Sequence, residues 1–262
     1  MTADLPIQLA DALALARTAA RAADEIAMSY FQRELAVERK ADASPVTEAD
    51  RACERAIRDC LLGQYPDHAI FGEEYGHRGD SRCLWLVDPI DGTRSFIRGL
   101  PFWSVQIALM VDGKLVLGVS SAPAFGETAW AMSGGGAWIN DKPVRVRPVN
   151  RLEDADVSFG NLRSLACDSR WAWAGDLVSR AARSRAYGDF YSYHRLAEGA
   201  QDVVVESDVN ILDVAALSVL VTEAGGVMTD LGGQPIGLET GSVLAACPDL
   251  HAQLLSSLND YQ

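Results

Sequence analysis

The sequence predicts an α/β fold, and three stretches of its 262 residues carry that reading. Apolar residues near the N-terminus recur at helical spacing, residues 105–146 alternate like a strand meander, and from Leu152 onward strand and helix patterns follow one another. At 48% hydrophobic content the chain can build one large core or two coupled ones.

Leu9, Leu13, Ala16, Ala20, Ala23, Ala27 and Tyr30 alternate spacings of four and three, which predicts a long amphipathic helix with a small-residue face. A polar loop at 38–44 carries Lys40. A second helix opens at Pro45-Val-Thr47-Glu-Ala-Asp50 and continues through Cys53, Ile57, Cys60 and Leu61. Thr47 and Asp50 have capping-box spacing, so Asp50 reads equally as a cap or as a functional carboxylate. Residues 68–71 form a short strand ended by Gly72. The following Glu73-Glu74 reads either as a solvated loop or as a pair placed at a strand end, where α/β folds often put their chemistry.

Cys83-Leu-Trp-Leu-Val-Asp88-Pro-Ile-Asp91-Gly-Thr93 comes next. Residues 84–87 predict a strand buried on both faces, with Asp88 at its end. Pro89 fixes φ and withdraws a donor, so the ladder is expected to stop there, while Gly92 lets backbone approach a ligand closely. Asp88 and Asp91 on such a turn can converge on one hard cation; D-x-x-D-G is also an ordinary Asx turn.

Val105, Ile107, Leu109 and Val111 alternate, Asp112-Gly113 is a hairpin signal, and residues 115–119 return as the partner strand. Residues 127–132, 137–139 and 144–146 continue the meander. The intervening Gly134-Gly-Gly136 is a turn, since it lacks the Lys-Ser/Thr ending of a phosphate loop. Beyond residue 152 the pattern predicts strands near Val157 and at 185–187, 203–206 and 242–247. Helices are expected at 169–183 and 190–199, from Asp213 to the Gly225-Gly226 stop, and from Pro248. There is no linker, repeat or low-complexity segment, so two parts, 1–150 and 151–262, would be closely packed.

A net charge of -13 disfavours a nucleic-acid partner, although a small phosphorylated ligand remains compatible because bound cations invert the local field. Five cysteines without a C-x-x-C pair suggest reduced core thiols and a cytoplasmic protein. No basic leader and no apolar run of about 18 residues is present, which disfavours secretion and a membrane span. His77 and His194 have no partner at metal-ligand spacing and read as surface or packing histidines.

Gly72-Glu73-Glu74, Trp85-Leu-Val-Asp88-Pro-Ile-Asp91-Gly-Thr93, Leu212-Asp213-Val-Ala-Ala216 and Glu223-Ala-Gly-Gly226 together resemble the inositol monophosphatase family, over essentially the whole chain. The resemblance implies a layered α-β-α-β-α sandwich of the inositol monophosphatase and fructose-1,6-bisphosphatase type, assembled as a homodimer. It implies that Glu73, Asp88, Asp91 and Asp213, with the Ile90 carbonyl, are metal ligands, and that two or three Mg²⁺ ions are the cofactor. All-oxygen donors suit Mg²⁺ better than Zn²⁺. Carboxylates so crowded would repel by about 4 kcal/mol per pair at 4 Å and an effective dielectric near 20.

The activity implied is phosphate monoester hydrolysis. Glu73, Thr93 and Asp50 would orient and deprotonate the attacking water, and the Gly92 and Thr93 amides would hold phosphate oxygens. Lys40 matches a residue on a loop near the metals, or is a solvated lysine. Leu212 departs from the family's usual Trp before the rear aspartate. Glu206 matches a contact to the substrate's alcohol, and Asn210 reads as an amide contact or a turn residue.

The segment from Arg185 to Tyr193, with Asp189 inside it, is similar to the histidinol-phosphate phosphatases of the family, which places Arg185 and Asp189 among substrate contacts. Two acids beside the phosphate site suit an alcohol carrying an ammonium and an imidazole. The alternatives are an inositol-1-phosphate or broad sugar phosphatase of the same family and, in another class, a non-catalytic metal-binding scaffold.

Overall fold

The structure is a computed structural model that describes residues 7–33, 38–39, 45–259 and 261. Lys40 lies outside the described residues. In chain order the elements begin with α1 (Leu9–Tyr30), a small ladder of β1 (Glu38–Arg39) and β2 (Pro45–Val46), α2 (Glu48–Gln64), β3 (Ala69–Gly72), β4 (Gly76–Arg78), β5 (Cys83–Asp91) and α3 (Thr93–Ile97). The meander follows as β6 (Ser104–Val111), β7 (Lys114–Ala122), β8 (Glu127–Met132), β9 (Gly136–Ile139) and β10 (Lys142–Val144). The remainder comprises β11 (Asp156–Gly160), α4 (Leu162–Ala166), α5 (Trp171–Arg180), β12 (Arg183–Arg185), α6 (Asp189–Ala197), β13 (Val203–Ser207), α7 (Ile211–Glu223), β14 (Val227–Thr229), β15 (Ser242–Ala246) and α8 (Pro248–Asn259).

Two sheets result. The larger runs β10-β9-β8-β7-β6-β5-β3-β4 and the smaller β12-β11-β13-β15-β14. Only β3 and β5 are parallel in the larger sheet; in the smaller, β11 is parallel to both β12 and β13. The small-residue face of α1 packs with α2 on one face of the large sheet, burying Ala16, Ala20, Cys53 and Ile57 against Val105, Ile107 and Leu109. α7 covers the other face through Leu212, Ala215 and Ala216. It reaches the small sheet with α6, where Tyr193, Val214 and Leu217 meet Val204 and Ala245. Trp173 of α5 and Leu250 and Leu254 of α8 close the outer face of the small sheet. The layers are therefore α-β-α-β-α.

This sandwiching explains why every residue of β6 is buried although its sequence suggested one apolar face: the intervening Ser104, Gln106, Ala108 and Met110 lie under α7 or beside the cleft. α7 is apolar all round for the same reason, lying between two sheets. The hairpin at Asp112-Gly113 has positive φ at both residues, 49° and 76°, as a type I′ turn requires.

Several boundaries shift. The ladder does not stop at Pro89: β5 passes through an irregularity after Asp88 and pairs again at Asp91 with Ser104, so the missing N–H costs one rung and the bulge restores the register. The strand expected at 185–187 lies two residues earlier, which frees Tyr187 and Gly188 to turn into α6. α7 starts two residues before Asp213, and β10 ends at Val144 instead of beginning there. The edge strands β4 and β14 and the short helices α3 and α4 are too brief for periodicity to mark. Cys53, Cys83 and Cys247 are buried, Cys60 is half-buried, Cys167 is exposed, and all are free thiols. Among the described residues no helix is long and apolar enough to cross a membrane.

Candidate active site

The end of β5 and the start of α7 meet at the mouth of a cleft of about 370 Å³. One carboxylate oxygen from each of Asp88, Asp91 and Asp213 lies within 4.8 Å of the others. Asp88 holds the bulge by accepting the Ile90 N–H at 3.0 Å. Ser104 donates its hydroxyl to Asp91 at 3.5 Å, and Gln106 donates to Ser104 at 2.8 Å, a polar prop behind that carboxylate. Asp213 is the third residue of α7, where it accepts the Asn210 backbone N–H at 2.8 Å in a capping box. Glu73, on the turn after β3, shares a hydrogen bond with Asp88 and lines the same cleft.

Burial pushes the three aspartates toward protonation. The Asp88 carboxyl is held well above its ordinary range by desolvation and then by Glu73, Asp91 and Asp213. Asp91 is raised by desolvation and by Asp189, Asp213 and Glu206. Desolvation lifts Asp213 to about 7 against the opposing hydrogen bonds of Asn210. Among the described residues the three-aspartate group holds no cationic side chain, and crowded buried oxygens of this kind suit a hard divalent cation, so the donor set fits Mg²⁺.

Beside the cluster, Gly92 takes φ 84°, and a Cβ there would stand 2.6 Å from the Phe102 carbonyl, so only glycine permits this approach. Thr93 opens α3 and donates its hydroxyl to the Ile90 carbonyl at 3.1 Å, with Asp50 at 3.4 Å. Asp50 is fully buried and acts as the cap: it accepts the Thr47 N–H at 2.8 Å and the Thr47 hydroxyl at 2.6 Å, and its other oxygen faces Thr93. Desolvation raises its carboxyl, partly offset by Thr47.

Next to the cluster the cleft carries a second acidic pair. Glu206, on β13, accepts the Tyr193 hydroxyl at 2.7 Å and the Asp189 backbone N–H, and desolvation lifts it to about 7. It fits only because residue 160 is glycine: a Cβ there would fall 1.9 Å from its Oε1. Asp189 follows Gly188 into the left-handed region at φ 48°, and burial raises its carboxyl to about 6.

Two candidate contacts lie elsewhere. Arg185 is exposed, donates to the Ser184 carbonyl at 2.7 Å and lines a neighbouring cavity of about 430 Å³ instead of the cleft. β12 ends at Arg185, two residues before Tyr187, where this segment first lines the cleft. Asn210 is outside the cleft lining; its Oδ1 accepts the Leu212 N–H at 2.7 Å and its Nδ2 donates to Asp213 at 2.9 Å. Its contact is with the carboxylate, as cap and orienter.

Sequence reading missed Glu54, Tyr193, Asn161 and Arg94. Asn161 and Arg94 line the cleft. Glu54 with Arg58 has the spacing of a solvated helix pair, and nothing local marks it as buried. His194 is a fully buried packing histidine, its Nδ1 2.6 Å from Glu127 and its Nε2 2.8 Å from the Ser120 hydroxyl.

The model of the inositol monophosphatase family matches residues 8–262. A histidinol-phosphatase of Streptomyces coelicolor is 39% identical over 259 residues, covering 95% of this chain and 97% of its own length. One of Mycobacterium tuberculosis is 40% identical over 264 residues, covering 95% and 98%. Among solved structures, an inositol monophosphatase from Zymomonas mobilis has a TM-score of 0.87 at 33% identity, covering 97% of this chain and 99% of that one.

Proposed function

The chain belongs to the inositol monophosphatase family and is a phosphoric monoester hydrolase, and we propose that its substrate is L-histidinol phosphate, converted to L-histidinol and phosphate in histidine biosynthesis. The observation that supports the substrate is the second acidic pair, Asp189 and Glu206, which lines the cleft beside the cluster. An alcohol with an ammonium group gains ion pairing there, and its charge draws both carboxyls back to their ionised forms. A neutral polyol would gain only hydrogen bonds.

In this reading Glu73, Asp88, Asp91 and Asp213, with the Ile90 carbonyl, hold Mg²⁺, two or three ions by family resemblance. Bound metal supplies charge neutralisation of the phosphoryl oxygens and a lowered pKa for the attacking water. The chain does the rest. The Gly92 and Thr93 N–H groups bind phosphate oxygens and fix the ester for in-line attack. Glu73 and the Thr93 hydroxyl orient the water, and Asp50, 3.4 Å from that hydroxyl, takes the proton passed through it. The helix dipole at the start of α7 favours the phosphate's negative charge. A cytoplasmic location and a homodimer belong to the same reading, the first resting on five free thiols and the second on resemblance.

The test is kcat/KM for phosphate release from histidinol phosphate, inositol 1-phosphate, fructose 1,6-bisphosphate and adenosine 3′,5′-bisphosphate. Histidinol phosphate is expected to lead by a large factor. A lead for inositol 1-phosphate overturns the substrate assignment and leaves the hydrolase class intact.

A further inference from the structure

The alcohol end of the cleft carries an aromatic surface that the carboxylate chemistry does not use. Tyr187, on the turn between β12 and α6, is 58% exposed and borders both the cleft and the neighbouring cavity. Its ring stacks on Phe102 with centroids 4.8 Å apart and planes 16° from parallel. Phe102 meets Phe125 at 5.5 Å and Tyr191 at 5.6 Å, both edge-on. The tyrosine is thus held by rings from both halves of the chain. Offset aromatic contacts of this kind fix a ring's orientation as well as burying area.

The Phe102 backbone also lies against Gly92, its carbonyl 2.6 Å from the position a Cβ there would take. The stack is therefore registered to the turn that borders the acidic cluster by backbone contact, not by a flexible side chain. Two residues beyond Tyr187, Asp189 lines the same cleft, with Glu206 beside it. The cleft lining consequently offers a π-face and a carboxylate pair beside the acidic cluster. A ring-free amine would use the carboxylates alone, and a polyol would use neither fully. A planar, protonatable ring joined to an ammonium uses both, because aromatic faces attract cationic groups and stack on planar ones.

We propose that Tyr187 is a specificity-determining residue whose ring receives the planar imidazole of the leaving alcohol while Asp189 and Glu206 take its ammonium. This rests on the histidinol-phosphate reading above. Tyr187 takes no part in the hydrolytic step, so its loss weakens substrate capture and leaves turnover of bound ester near its original rate.

The experiment compares the wild-type chain, Tyr187→Leu and Tyr187→Phe on histidinol phosphate and on glycerol 2-phosphate, a ring-free ester. Tyr187→Leu is expected to lower kcat/KM for histidinol phosphate about 10-fold, chiefly through KM, and to stay within about 2-fold of wild type on glycerol 2-phosphate. Tyr187→Phe keeps the ring and is expected to restore capture. An equal loss on both esters, or no loss on either, overturns the proposal. If the wild-type chain cleaves glycerol 2-phosphate but not histidinol phosphate, the substrate reading itself falls and takes this proposal with it.

Discussion

The Glu54 carboxylate, fully buried in α2, accepts the backbone N–H of Glu74 at 2.6 Å. It also accepts from Tyr75 N at 3.2 Å and Arg58 Nε at 2.7 Å, while the Arg58 guanidinium reaches the Gly76 carbonyl. A glutamate outside the cleft thus sets the turn that carries Glu73. Glu54→Ala leaves a guanidinium only 12% exposed and two N–H groups without their acceptor. Denaturant unfolding should show a loss of about 3–5 kcal/mol, whereas Glu54→Gln, which keeps an acceptor, should lose less. Gly72→Ala should be costly for the same reason, since its Cβ would stand 2.1 Å from Glu54 Oε1.

Asn210→Ala removes a cap and an orienter together. Helix capping alone should cost about 1 kcal/mol, and loss of the Nδ2 bond to Asp213 should weaken Mg²⁺ binding by roughly 10-fold. Calorimetric titration with Mg²⁺ measures the second effect. An unchanged affinity would mean that Asp213 is oriented by its helix position alone.

The acidic cluster gives metal binding a signed pH dependence. Asp189 is raised to about 6 and Asp213 and Glu206 to about 7, chiefly by burial. A carboxyl whose folded pKa exceeds its unfolded value, about 4, binds its proton more tightly in the native state. Its stabilising contribution is present at low pH and is lost as pH rises from about 4 through 7. Cation binding relieves that loss, so the Mg²⁺-induced rise in Tm should be larger near pH 7.5 than near pH 5, with protons released on binding below neutrality. A rise independent of pH would contradict the assignment.

Asp91→Asn separates stability from catalysis. Without metal, the variant no longer buries an acid that must be desolvated or take up a proton beside Asp213 and Asp189, and it should melt at a higher temperature than metal-free wild type. Added Mg²⁺ should raise its Tm far less than that of wild type. Thermal unfolding with and without chelator measures both.

The acidic cluster was legible because proline, glycine and carboxylates stand together at a strand end, and the distant Asp213 stands near the start of an apolar helical pattern. What surrounds the cluster was not. Glu54 and Arg58 look like any surface pair until β3 and β4 cover them. The roles of Arg185 and Asn210 turn on where a three-residue strand ends and which residue caps α7, differences of two residues that decide whether a side chain enters the cleft. Tyr187 acquires meaning only from Phe102, which lies 85 positions earlier in the chain and on the other half of the molecule.

The most direct measurement is the initial rate of phosphate release from histidinol phosphate by wild type and Asp91→Asn, each with excess Mg²⁺ and with chelator. The account predicts turnover only by wild type with Mg²⁺, with the other three conditions lower by about 10³-fold or more. Comparable turnover by Asp91→Asn, or by wild type in chelator, would contradict it.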